Sequence, residues 1–184
     1  MNAYDLPTSL VIGGVGYPIR YGWRAVVDVL DAFSDPNMTD EAKTMYMLMV
    51  IYPDLEKIPE GRMQEACEKA CEFIDCGQKE DSTKPKMIDW QQDASIIIAE
   101  INNVAKREIR LDPNIHWWTV FGWFMSIGDG RLASILHIRS KKSKHKKLEK
   151  WEQEFYNENK SLIDFVSPET EEVRKEKDNI LKFL

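Results

Sequence analysis

The chain has 184 residues, of which 43% are apolar and 30% charged, with only 9 Gly and 8 Pro. That composition excludes collagen-like, low-complexity and disordered classes, and a chain this long buries about 70% of its extended surface without disulfides or metal. Net charge is −6, yet Arg139 to Lys150 holds seven basic residues and one acid, so the remainder is more acidic than the total suggests. An acidic body with one basic strip argues against general nucleic-acid binding. The apolar run Met45–Tyr52 is far short of the ~20 residues of a membrane span. No basic region followed by an apolar stretch opens the chain, so no secretory leader is expected. The expectation is a soluble, intracellular, globular protein.

In chain order, Ser9–Ile12 and Tyr17–Tyr21 are short β-prone runs around Gly13-Gly14-Val15-Gly16, which reads as a hairpin. Pro18 makes the second run an edge. Trp23, Val26, Val27 and Leu30 mark a helix that stops before Ser34-Asp35-Pro36-Asn37. Thr39 is the expected N-cap of the next helix, with Asp40 and Glu41 in its first turn, running to about Tyr52. Its segment Met45-Tyr-Met-Leu-Met-Val-Ile-Tyr52 is apolar on every face. That reads first as core, and otherwise as an adaptable methionine surface for a partner.

A further helix is expected over 59–75, closed by Gly77 at the left-handed position after the helix. Cys67 and Cys71 lie on its apolar face with Met63. Together with Cys76 they are odd in number and lack zinc spacing, so reduced, buried thiols are expected rather than a disulfide framework or metal site. Gln78–Lys86 is a polar loop. Trp90, Ala94, Ile97, Ile101 and Val104 form an amphipathic stripe that Leu111 ends. Asp112-Pro113 is expected to start a helix carrying the aromatic cluster Trp117, Trp118, Phe121, Trp123 and Phe124. Leu132–Ile138 is a short helix. Leu148, Trp151 and Phe155 give an apolar stripe to a charged one, and Ser167-Pro168 looks like another start. The fold expected is mainly α: a helical domain over 1–139 with a short N-terminal β-hairpin, and a charged C-terminal helical extension over 140–184.

Motifs for chemistry are weak. Gly14-Val-Gly16 meets Ile19 where a phosphate-binding loop needs glycine, and no Walker sequence follows. Asp89 and Asp93 share a helix face but no third ligand accompanies them. His116, between apolar neighbours, is either titratable or, on the preferred reading, hydrogen-bonded and structural. No nucleophile elbow or catalytic cysteine signature occurs. No enzyme, metal or cofactor is expected. The residues singled out for partner binding are Met45, Met49 and Tyr52 of the methionine run, Trp117, Trp118 and Phe121 of the aromatic cluster, and Lys141, Lys142 and Lys144 of the basic strip. The first two groups also read as core, and the third as a solvated helix start.

Several landmarks occur in order along nearly the whole chain: Leu6-Pro7, Val15-Gly16-Tyr17-Pro18-Ile19, Asp35-Pro36, Gln92-Asp93-Ala94, Leu111-Asp112, His116-Trp117-Trp118 and Ile138-Arg139. With them the sequence resembles the bacteriophage gene-product-fifteen family of small proteins encoded in tail-morphogenesis clusters. The resemblance implies a tail assembly chaperone in the host cytoplasm, absent from the finished virion, that binds the tape measure protein and tail tube subunits. It brings no catalytic residues. Self-association is compatible with it, and membrane or nucleic-acid partners are not expected. The competing expectation is a structural tail or neck component of the virion.

Overall fold

The computed structural model describes residues 4–78 and 85–166. Strands β1 (Ser9–Ile12) and β2 (Val15–Pro18) pair antiparallel, Ile12 opposite Val15 and Ser9 opposite Pro18. The turn is Gly13-Gly14 alone, with φ of 57° and 84°, the doubly left-handed conformation that matches strand twist and that glycine adopts without penalty. The hairpin is therefore tighter than expected: Val15 and Gly16 belong to the ladder, and the second strand stops at Pro18 rather than Tyr21. Leu10 and Ile12 are buried while Val11 and Val15 face out.

Helix α1 (Trp23–Ser34) buries Trp23, Val26 and Val29 at every third position. Helix α2 (Asp40–Ile51) begins at Thr39, whose hydroxyl accepts from the Ala42 N–H at 3.2 Å, and stops before Pro53. It buries Met47, Leu48 and Ile51, whereas Met45 and Met49 are 54% and 59% exposed. The preferred core reading of the whole run therefore fails at those two methionines and at Tyr46, because only one face of α2 meets α1 and α3.

Two short 3₁₀ turns, Leu55–Lys57 and Glu60–Arg62, precede α3 (Met63–Ile74), so the helix starts later than Pro59. It ends with the Gly77 N–H donating to Glu72 O and the Cys76 N–H to Phe73 O. Gly77 is left-handed as expected (φ 72°), but the left-handed run begins one residue earlier, at Cys76 (φ 53°), which holds the capping position.

Helix α4 (Ala94–Ala105) is shorter than its stripe. Trp90 sits in a turn before it, and Lys106 in the left-handed region (φ 53°) ends it, followed by a 3₁₀ turn over Ile109–Leu111. Asp112-Pro113 does not start α5 (Trp117–Met125). His116 caps it instead, its Nδ1 accepting the Trp118 N–H at 3.1 Å. The delay has a backbone cause. Trp23 N donates to Ile115 O (3.0 Å) and Trp117 N to Tyr21 O (2.8 Å), a β-bridge between Gly22 and His116 that holds the chain extended. A Cβ on Gly22 would stand 2.7 Å from Pro113 O, so only glycine fits there.

Helix α6 (Arg131–Ser143) runs unbroken through position 139/140, the boundary drawn from the sequence. Helices α7 (Lys150–Glu158) and α8 (Lys160–Ile163) follow. The main core gathers the hairpin, α1 to α5 and Leu132. A second cluster joins Ile135 and Ile138 of α6 to Ile163 of α8, with Leu148, Phe155 and Leu162 against it. The helix start expected at Ser167-Pro168 lies outside the described residues.

Candidate functional site

The aromatic cluster is a clamp within the chain. The Trp117 indole donates to Ile74 O at 2.7 Å and the Trp118 indole to Phe73 O at 2.8 Å. Both carbonyls lie at the end of α3, where helices leave acceptors without partners. Trp117 is 1% exposed. Trp118 and Phe121 are half-buried, Phe121 packing on Trp117 with ring centroids 5.5 Å apart. Tyr52, 2% exposed, donates its hydroxyl to Ala66 O at 2.9 Å, and burial pushes its phenol well above its usual range. Of these four partner-binding candidates, Tyr52 and Trp117 are thus consumed by the core.

His116 is structural as well. Its Nε2 lies 2.9 Å from Pro7 O, its ring stacks on Tyr21 at 5.4 Å, and burial lowers its affinity for a proton. With Nδ1 accepting from Trp118, Nε2 carries the hydrogen and donates to Pro7. The three cysteines are free and half-buried. Cys71 lies 3.8 Å from the Met47 sulfur. Burial first, then the neighbouring Cys67, pushes the Cys71 thiol up to about 11, and burial pushes Cys76 up to about 12. Such thiols stay protonated and poorly nucleophilic at neutral pH.

Three of the seven basic residues of the strip are neutralised from within the chain. Arg139 is buried and bonds both oxygens of Asp93, at 2.6 and 2.9 Å. Asp93, half of the acidic pair noted in the sequence, is therefore a structural counter-ion. Asp89 accepts the N–H groups of Gln91 and Gln92. Lys141 pairs with Glu152 at 2.5 Å, and its ammonium holds that carboxyl down to about 2. Lys142 bonds Asp164 and the Tyr156 hydroxyl. Lys141 and Lys142 are thus engaged within the chain, whereas Lys144, Lys146 and Lys147 are exposed around the left-handed His145.

Two apolar surfaces stand out among the described residues. One is the outer face of α2, where Met45 and Met49, a turn apart, stand beside Tyr46, itself 38% exposed. Met45 and Leu48 also edge a shallow hollow with Asp40, Glu41 and Thr44.

The second surface escaped the sequence reading. It is a cleft of about 180 Å³ walled by Trp23, Arg24 and Val27 of α1 and by Ala94, Ile97, Ile98 and Ile101 of α4. Trp90, Arg110 and Val120 complete it. Its only signal in the sequence is that the α4 stripe is two rows wide, Ile97 with Ile98, rather than one. The Arg24 guanidinium lies 4.9 Å from the Trp23 ring centroid and donates to Arg110 O at 2.9 Å. Arg110 is itself paired with Glu108 at 2.7 Å, and holds that carboxyl down to about 2.

Among the described residues no group of three or more His, Cys, Asp and Glu side chains is placed to hold a metal ion, and no helix is long and apolar enough to cross a membrane. What the open surfaces offer is apolar contact with charged margins, which suits protein recognition. A model of the family described as Bacteriophage Gp15 protein matches residues 4–165. No curated protein and no solved structure matches the chain.

Proposed function

The chain belongs to the bacteriophage Gp15 protein family, and from that premise we propose that it is a tail assembly chaperone. On this reading it binds the tape measure protein, tail tube subunits or both in the host cytoplasm during tail morphogenesis, carries out no catalysis, and leaves before the virion is complete. The observation that carries the reading is the exposed Met45–Met49 face of α2. Thioether side chains adapt to varied apolar surfaces, and a chaperone needs a surface that accepts a long helical client without a single fixed shape. Burial of Tyr52 and Trp117 leaves that face and the aromatic margin at Trp118 and Phe121 as the apolar contacts on offer from the residues first singled out.

The test is co-expression with the tape measure protein encoded by the same phage. The expected result is a soluble complex that co-purifies, and that Met45→Glu combined with Met49→Glu weakens without unfolding the chain. An insoluble tape measure protein with nothing retained overturns the reading. Stoichiometric amounts of the protein in purified virions, measured by mass spectrometry, would replace it with a structural tail or neck role.

A further inference from the structure

We infer that the cleft between α1 and α4 is a docking groove for one amphipathic helix of a partner protein, with apolar residues on the side entering the cleft and acidic residues on its flank. The inference rests on the interaction-protein reading above and deepens it by naming the chemistry of the partner.

The first ground is packing. Helices α1 and α4 each pack on α5 but hardly on each other. The result is a gap between two roughly neighbouring helices, floored by Val120 of α5. Residues Ala94, Ile97, Ile98 and Ile101 give it an α4 wall of about 10 Å at 1.5 Å per residue, the length of two helical turns. Helices fill such gaps by setting side chains at i, i+3 and i+4 into the groove of a neighbour. Ala94 is exposed and small at one end, so a visiting backbone can approach there. A cavity of this order admits a benzene-sized apolar group, which suits a Leu or Phe anchor.

The second ground is charge. Only two charged residues line the cleft, and both are arginines in a chain of net charge −6. Arg110 already has Glu108. Arg24 is exposed and makes no ion pair among the described residues. It is fixed in place by the Trp23 ring and the Arg110 carbonyl. A guanidinium pre-oriented on an aromatic face loses little freedom when a carboxylate arrives. A helix with basic flanks would meet that charge unfavourably, which sets the sign of the partner.

The experiment titrates the full-length protein with two helical peptides of about five turns by isothermal titration calorimetry. Both carry Leu at heptad-like spacing; one has Glu and the other Lys at the remaining positions. The acidic peptide is expected to bind, and to bind more weakly as salt rises. Ala94→Trp, which fills the groove from an exposed position, is expected to weaken it about tenfold or more. Arg24→Glu, also at an exposed site, is expected to reverse the preference toward the Lys peptide.

Equal binding of both peptides, or indifference to both substitutions, overturns the inference. So does a concentration-dependent dimer that Ala94→Trp abolishes in sedimentation, since the groove would then belong to a second copy. The co-expression assay separates the two levels. If wild type and Ala94→Trp retain the tape measure protein alike, the groove is not its site and the inference falls while the chaperone reading stands. If wild type retains nothing yet the acidic peptide binds as expected, the chaperone reading falls and the groove stands.

Discussion

Arg139 uses all five N–H donors of its guanidinium. Besides the two bonds to Asp93, it reaches Ile163 O at 2.8 Å, Leu162 O at 2.7 Å and Met87 O at 2.9 Å, and the ring of Phe165 lies 4.2 Å away. A single residue thereby ties α6 to the start of α4 and the end of α8. Removing one member of a buried ion pair costs about 3–5 kcal/mol, so Arg139→Met is expected to lower the urea midpoint by a corresponding amount. Adding Asp93→Leu restores only part of it, because three carbonyls still lack a donor; full restoration in the double variant would show that the carbonyl bonds contribute nothing. His116 makes a pH prediction. Burial favours its neutral form in the folded chain, so the unfolded chain takes up the proton first. Its contribution to stability is complete above the ordinary histidine pKa of about 6.5 and is lost as pH falls below it. Urea midpoints at pH 7.5 and 5.5 are expected to drop in wild type and to drop less in His116→Gln. The sequence anticipated a hydrogen-bonded, structural His116 but not which groups it bonds, and it held no sign of the part played by Arg139. Ile138-Arg139 and His116-Trp117-Trp118 are conspicuous strings, but their partners lie far along the chain.

Among the elements, those stopped by local chemistry were legible. Thr39 caps α2 and Pro53 follows its end as expected, and Thr39→Ala is expected to cost about 1 kcal/mol by thermal or chemical denaturation. Elements stopped by distant contacts were not legible. The stripe through Trp90 and Val104 reads as one long helix, yet Asp93 is held by Arg139 at one end and Lys106 turns left-handed at the other. The Asp112-Pro113 pair has every local mark of a helix start, and the bridge from His116 to Gly22 overrides it. The α3 and α6 caps carry Cys76 and His145 at the left-handed residue, where glycine has no steric penalty. His145 is exposed, so His145→Gly is expected to stabilise the chain by about 0.5–1 kcal/mol. A loss of stability instead would mean that the imidazole has a partner outside the helix cap.

At the scale of the molecule, the described residues hold two apolar clusters of unequal size. The smaller one leans on Ile163, 1% exposed, and few other buried side chains support α7 and α8. Native-state hydrogen exchange is expected to show α7 and α8 opening before α2, α3 and α5. Ile163→Ala is expected to hasten exchange in α7 and α8 while leaving α2 and α3 unchanged; uniform acceleration would indicate a single cooperative unit. The sequence conveyed a helical body, a hairpin and a charged extension because periodicity and turn residues are local. It offered the methionine face of α2 as an alternative to core, but not the cleft, whose walls come from residues near 24 and near 97 and meet only over α5. The bond between His116 and Pro7 spans 109 positions, and the same crossing pins α1 to the entry of α5. On a ribosome adding roughly 5–20 residues per second, the amino-terminal hairpin is therefore made roughly 5–20 s before the segment that locks it. Until then a nascent chain carries Ile12, Trp23 and their neighbours uncovered, and it needs folding helpers of its own before it can present a finished surface to anything else.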